Sequence, residues 1–141
     1  MAHRLGTRSS DILTAVDYLR SGGVVGVPTE TVYGLAAAAF NIDAVSEIYR
    51  LKGRPANNPL ILHIHHQDQI DQLATTIPEA LPRLVEAFWP GPLTVVLKSK
   101  TSVPDIVRAG GDTVAIRLPS HPVFQQVLTT IDEPLAAPSA N

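Results

Sequence analysis

The sequence predicts a single α/β domain of 141 residues, a layered fold in which a twisted, mixed and partly parallel sheet is flanked by helices. Three observations predict it. Apolar runs of strand length alternate along the chain with segments of helical periodicity, the order that builds layered α/β domains. The length suits one hydrophobic core and is short for two ordinary domains. Hydrophobic residues make up 45 % and charged residues 17 % of the chain, which gives it enough apolar surface to fold and sets it apart from disordered compositions.

Each element has its own signal. Ser10 can cap a first helix whose apolar positions Ile12, Leu13, Val16 and Leu19 recur at helical spacing, with Gly22 and Gly23 as the stop. Val24 to Val27 reads as a buried strand. Beyond the segment 28–40, Asn41 or Asp43 opens a second helix carrying Val45, Ile48, Tyr49 and Lys52, and Gly53 ends it ahead of Pro55. Leu60 to Ile64 reads as a strand, Gln67 to Ala74 as a short helix, and Pro78 to Phe88 as another with proline in its first turn. Trp89-Pro90-Gly91-Pro92 cannot continue that helix. Leu93 to Leu97 and Thr113 to Leu118 read as strands, and the spacing around Gly110-Gly111 suggests antiparallel pairing between them. Val123 to Thr130 reads as a helix, and Leu135 to Ala137 begins a last strand.

Composition narrows the function classes. With no cysteine, disulfides, thiolate nucleophiles and Cys-ligated zinc are excluded. The N-terminus has no apolar signal core, and the longest wholly apolar stretch, Leu35 to Phe40, is far too short to cross a bilayer. The expectation is a soluble, cytoplasmic protein. A net charge of −2 argues against a chain whose main work is gripping a nucleic-acid backbone, although a local basic patch stays open.

Several residues can carry chemistry. Three predicted strands end in an apolar residue, proline and a hydroxyl: Val27-Pro28-Thr29, Leu118-Pro119-Ser120 and Ala137-Pro138-Ser139. Ligands collect at the carboxyl ends of strands in open α/β sheets, so the three could line one crevice, or proline simply stops each strand. Lys52-Gly53-Arg54-Pro55 places two cations around a glycine, suited either to clamping phosphates or to closing a helix against its dipole. No Gly-x-x-x-x-Gly-Lys-Ser/Thr or Gly-x-Gly-x-x-Gly loop exists, so any ATP site is built otherwise. His63, His65 and His66 cluster, with His63 and His65 on one face by strand alternation, but no His, Asp or Glu is obvious as a third metal ligand. Glu30 is either a general base or metal-facing carboxylate, or a surface residue. Arg117 lies in an apolar strand, where its charge needs a partner: a bound carboxylate or phosphate, or an internal acid. Hydrolase signatures such as Gly-x-Ser-x-Gly and His-Glu-x-x-His are missing.

Taken in order, Pro28-Thr29-Glu30-Thr31-Val32-Tyr33-Gly34-Leu35, Lys52-Gly53-Arg54-Pro55, Pro59-Leu60-Ile61-Leu62-His63, Trp89-Pro90-Gly91-Pro92-Leu93-Thr94 and Pro138-Ser139-Ala140-Asn141 resemble the YrdC family of L-threonylcarbamoyl-AMP synthases. The hallmark Lys-x-Arg followed much later by Ser-x-Asn is met by Lys52, Arg54, Ser139 and Asn141. The resemblance implies a twisted sheet around a large cavity holding threonine beside ATP. It implies threonine contacts at Thr31, His63, Arg117 and the backbone near Ala137, and nucleotide contacts at Lys52, Arg54, Asn58, Thr113 and Ser139, with Asn141 close by. Lys52 and Arg54 would carry the catalytic charge neutralisation, helped by Mg²⁺ that travels with ATP. No residue is assigned as a dedicated metal ligand.

The implied reaction joins L-threonine, bicarbonate or CO₂, and ATP into threonylcarbamoyl-adenylate plus pyrophosphate, for threonylcarbamoyladenosine in tRNA. Downstream partners would be tRNA threonylcarbamoyl transferase proteins. Two alternatives stand beside it: an RNA-binding or ribosome-associated module of the same fold, and a carbamoyl-transfer domain like those in hydrogenase maturation proteins. Mild acidity and the lack of interleaved aromatic and basic residues count against the first. The second belongs to much longer chains with zinc-binding cysteines. Family members usually run several tens of residues beyond Ser-Ala-Asn, so residues 1–141 are expected to form a YrdC-like domain without the usual C-terminal portion. Such a chain would bind ATP poorly, be a weak or inactive synthase, and associate through its incomplete side.

Overall fold

The computed structural model describes residues 5–29, 33–53, 55 and 58–139. Five helices and six strands follow in the order α1 (Ser9–Arg20), β1 (Val25–Pro28), β2 (Tyr33–Ala38), α2 (Ile42–Lys52), β3 (Ile61–His63), α3 (Leu81–Phe88), β4 (Thr94–Lys98), α4 (Asp105–Arg108), β5 (Thr113–Arg117), α5 (Pro122–Ile131) and β6 (Leu135–Ala136). A 3-10 helix, Gln67–Gln72, lies between β3 and α3. The strands form one mixed sheet in the order β1-β2-β6-β3-β5-β4. Among the described residues, only β3 and β5 pair in parallel, and the other four pairings are antiparallel.

Local chemistry explains most boundaries. Asn41 caps α2 by accepting from the Ala44 amide at 3.0 Å, and Gly53 closes it with φ of 60°, a left-handed conformation that glycine takes without steric cost. The cap of α1 differs from expectation: the helix already includes Ser9 and Ser10, and the Arg8 amide donates to the Asp11 carboxylate at 3.3 Å. An acid three residues into the helix therefore satisfies the free amide. Helix α3 starts at Leu81, with Pro82 in its first turn, and Pro78 serves the preceding turn by accepting from the Leu81 amide. Trp89 ends α3 and donates from its indole to the Leu93 carbonyl at 2.8 Å, which fixes the entry into β4.

The sheet separates two cores. On one face α2, α3 and α4 cover Ala37, Leu62, Val95, Leu97, Val114, Ile116 and Ala136. On the other, α1 and α5 cover Val27, Ala36, Leu135 and Ala137, with Phe124 completely buried. Strand β2 was not expected from sequence, since its Ala36-Ala37-Ala38 run favours helix by propensity. It lies inside the sheet with helices on both sides, where small side chains let α1 and α2 approach and packing outweighs propensity.

Candidate active site on the open sheet face

The two helices on the α1/α5 face stop short of the β5-β4 edge. Burial therefore alternates along these strands. In β4, Val95 and Leu97 are buried whereas Val96 is 62 % exposed; in β5, Val114 and Ile116 are buried whereas Thr113 is exposed and Ala115 and Arg117 are half-buried. Register extends this face inward, because Ile61 pairs with Ala115 and His63 with Arg117 in the parallel β3-β5 ladder. Residues on alternate positions share a face. Thr94, Val96, Lys98, Thr113, Ala115, Arg117, Ile61 and His63 thus stand on one side of the sheet, open over β4 and β5 and roofed by α5 at His63.

Two of the residues expected to meet threonine, His63 and Arg117, stand together at the inner boundary of this face. His63 is only 4 % exposed, and its ring packs 5.1 Å from that of Phe124 on α5. Beside it, Arg117 folds across the β4-β5 ladder, where Nε and Nη2 donate to Thr94 Oγ1 at 2.9 and 2.6 Å. The ion pairs among the described residues join Arg50 to Glu47, Arg108 to Asp105, His65 to Asp132 and His66 to Asp68, and none takes Arg117. Its internal partner is therefore a neutral hydroxyl. Ala137 is buried, and its amide donates to the Ile61 carbonyl at 3.2 Å, at the opposite end of β3 from His63.

Of the residues expected to meet the nucleotide, Lys52 and Ser139 are brought into contact. Lys52, the last residue of α2, donates from Nζ to the Ser139 carbonyl, joining the end of that helix to the C-terminal segment. Ser139 bridges Gly34, and the Leu35 amide donates to the Pro138 carbonyl at 2.9 Å. Gly34 admits this approach, since a Cβ there would lie 3.2 Å from the Pro138 oxygen and 3.6 Å from Thr29 Cγ2. Asn58 is anchored through its backbone: its amide donates to the Pro55 carbonyl at 3.0 Å, and its own carbonyl lies 2.6 Å from the Tyr49 hydroxyl. Thr113 opens β5 opposite Lys98, four residues and about 13 Å along the strand from Arg117. Thr31, Arg54 and Asn141, and with them Glu30, lie outside the described residues.

Two expectations change. Of the three strand ends ending in proline and a hydroxyl, Pro28-Thr29 and Pro138-Ser139 do meet around Gly34, but Leu118-Pro119-Ser120 lies at the opposite end of the sheet. Strand β5 runs parallel to β3, and β3 antiparallel to β6, so the ends of β5 and β6 point apart. His65 does not share a strand face with His63: β3 ends at His63, and His65 Nε2 pairs with Asp132 Oδ1 at 2.6 Å near the end of α5. Two surface hollows, of about 620 and 600 Å³, lie elsewhere: one beside Arg20, Phe40, Asp43 and Glu133, the other between α1 and α5 beside Leu13 and Gln125. None of the expected site residues lines either. Sequence reasoning gave Thr94 and Lys98 no role at the site, because apolar Val96 between them breaks the alternation that marks a strand with one wet face.

Residues 17–141 match the Sua5/YciO/YrdC family model, described as telomere recombination. The chain belongs to this family. It is 48 % identical over 130 residues to a threonylcarbamoyl-AMP synthase of Pyrococcus abyssi, covering 92 % of this chain and 38 % of that protein. It is 47 % identical over 138 residues to the threonylcarbamoyl-AMP synthase of Bacillus subtilis, covering 97 % of this chain and 40 % of that one. The crystal structure of P. abyssi Sua5 complexed with L-threonine superposes with a TM-score of 0.92 at 45 % identity, over 99 % of this chain and 40 % of that one. This Sua5/YciO/YrdC chain thus spans about two fifths of the length of these relatives. Among the described residues, no helix is long and apolar enough to cross a membrane.

Proposed function

We propose that this domain supplies the threonine site and the phosphate clamp of an L-threonylcarbamoyl-AMP synthase. One observation carries the reading: a half-buried arginine, Arg117, held by a neutral hydroxyl beside the buried His63, in a chain 45 % identical to a protein crystallised with L-threonine. A guanidinium in that setting has its charge still to be met, and an amino acid's carboxylate meets it with two parallel hydrogen bonds.

The chemistry asks little covalent help of the protein. Threonine's amine adds to CO₂, supplied by bicarbonate, and loses a proton to give a carbamate. A carbamate oxygen then attacks the α-phosphorus of ATP, and the bond to the bridging oxygen breaks to release pyrophosphate. Aligning the two anions and offsetting their charge is the main requirement. In this scheme Arg117 holds the carboxylate while Thr31, His63 and the backbone at Ala137 orient the rest. Lys52 and Arg54 meet the phosphates, and Asn58, Thr113, Ser139 and Asn141 position the nucleotide. Among the described residues, no three His, Asp or Glu side chains come together as a metal cage. Mg²⁺ carried in on the phosphates would add positive charge there. Product would pass to tRNA threonylcarbamoyl transferase proteins, in the cytoplasm.

The reading is tested by titrating the chain with L-threonine in a calorimeter and by following pyrophosphate release with ATP and bicarbonate. Saturable threonine binding and threonine-dependent release are expected. Pyrophosphate release indifferent to threonine would overturn it, and binding of RNA in place of threonine would favour the RNA-module reading.

A further inference from the structure

We infer that Thr94 is a positioning residue for amino-acid recognition, acting through Arg117; the inference rests on the function proposed above. Thr94 opens β4 directly opposite Arg117, and the two side chains stand on the same open face of the sheet. A guanidinium carries five N–H donors in a planar fork. Two of them, from Nε and Nη2, converge on the single Thr94 oxygen. Of the other three, one on Nη1 and one on Nη2 point outward in parallel and form the end edge that takes a carboxylate in a bidentate pair.

Without the hydroxyl, the long arginine side chain would sample many rotamers over an open face, and each binding event would have to order it. With the hydroxyl, the edge that faces the ligand is set beforehand. Threonine suits the task because its β-branch leaves few χ1 states. A carboxylate in place of Thr94 would hold Arg117 as firmly but would neutralise it and compete with the ligand. The neutral acceptor orients the cation and leaves its charge available.

The test compares Thr94→Val, which keeps the branched shape and removes the acceptor, with Thr94→Ser, which keeps the acceptor. Threonine binding is read by calorimetry, the threonine and ATP dependence of pyrophosphate release by kinetics, and folding by thermal melts. The valine variant should weaken threonine binding about tenfold, while its ATP dependence changes by less than about twofold. Serine should restore most of the loss. In an Arg117→Ala background, Thr94→Val should cost nothing further, because the two act as one unit. Wild-type threonine affinity in Thr94→Val sinks the inference and leaves the proposed function standing. Equal losses toward threonine and ATP that follow a lowered melting temperature, unrescued by serine, would show a merely structural role. A wild-type chain that binds no threonine overturns both readings.

Discussion

Replacing Arg117 by alanine separates two accounts that sequence alone left open. Were Arg117 half of a buried ion pair, its loss would strand a carboxylate and cost about 3–5 kcal/mol. In the structure its internal partner is the Thr94 hydroxyl, on a half-exposed face, so the loss is that of ordinary hydrogen bonds, about 1 kcal/mol. For a domain of this length, 1 kcal/mol lowers the melting temperature by about 4 °C, and the ion-pair account requires a fall of about 12–20 °C. Threonine affinity should drop far more, by about tenfold to a hundredfold, because a charge-assisted contact of roughly 1.5–3 kcal/mol is lost. ATP affinity should hardly move, since Thr113, the nucleotide residue on the same strand, lies about 13 Å along it. The assay pairs thermal melts with separate titrations of threonine and nucleotide. A large fall in melting temperature, or unchanged threonine affinity in a folded variant, would refute the reasoning.

Other substitutions probe the rest of the account. Lys52→Ala should raise the ATP requirement by about tenfold to a hundredfold with little effect on threonine binding, and unaltered nucleotide affinity would remove Lys52 from the clamp. Ala36→Leu should lower stability by about 1–3 kcal/mol, because Ala36 is fully buried between β2 and the helices above it, and chemical denaturation would measure the loss. Glu47 is held below the usual carboxylate range by its hydrogen bond from Arg50. Such a depressed acid adds stability above its unfolded pKa and loses it as pH falls through the folded value. The pair lies at the solvent-facing surface, with Arg50 exposed and Glu47 half-exposed, so water screens it; acid denaturation curves of Glu47→Gln and the parent should overlay, and a clear separation would contradict this.

Where side chains alone decide structure, the sequence was readable. The Asn41 cap, the Gly53 stop and the amphipathic spacing of α1 and α5 are local signals, and the structure keeps them. Strand β2 was hidden because its alanines are chosen by what packs on them from both sides. Helix α4 is four residues long, too short for a period to show, and is held by Val107 in the core and the Arg108–Asp105 pair. Pairing was hidden in the same way. The order of β6 between β2 and β3 depends on pairings between residues far apart in sequence, such as Ala37 with Ala136 and Leu62 with Ala136, and it decides that Ser139 meets Gly34 while Ser120 lies at the far end. For the site, resemblance named His63, Arg117, Thr113 and Ala137, and register then put the first three on one face. Thr94 could not be singled out from sequence, because only the β4-β5 register sets it opposite Arg117.

On the proposed reading, threonine, bicarbonate and ATP meet on this domain to form one adenylate. The most direct measurement supplies ¹³C-labelled bicarbonate, L-threonine and ATP to enzyme at stoichiometric concentration, so that a single slow turnover suffices, and weighs the nucleotide product by mass spectrometry. The account predicts an adenylate carrying threonine and the labelled carbon, formed together with pyrophosphate and absent when threonine is replaced by L-valine. An unlabelled product, or ATP converted to ADP and phosphate with no threonine-bearing adenylate, would contradict it.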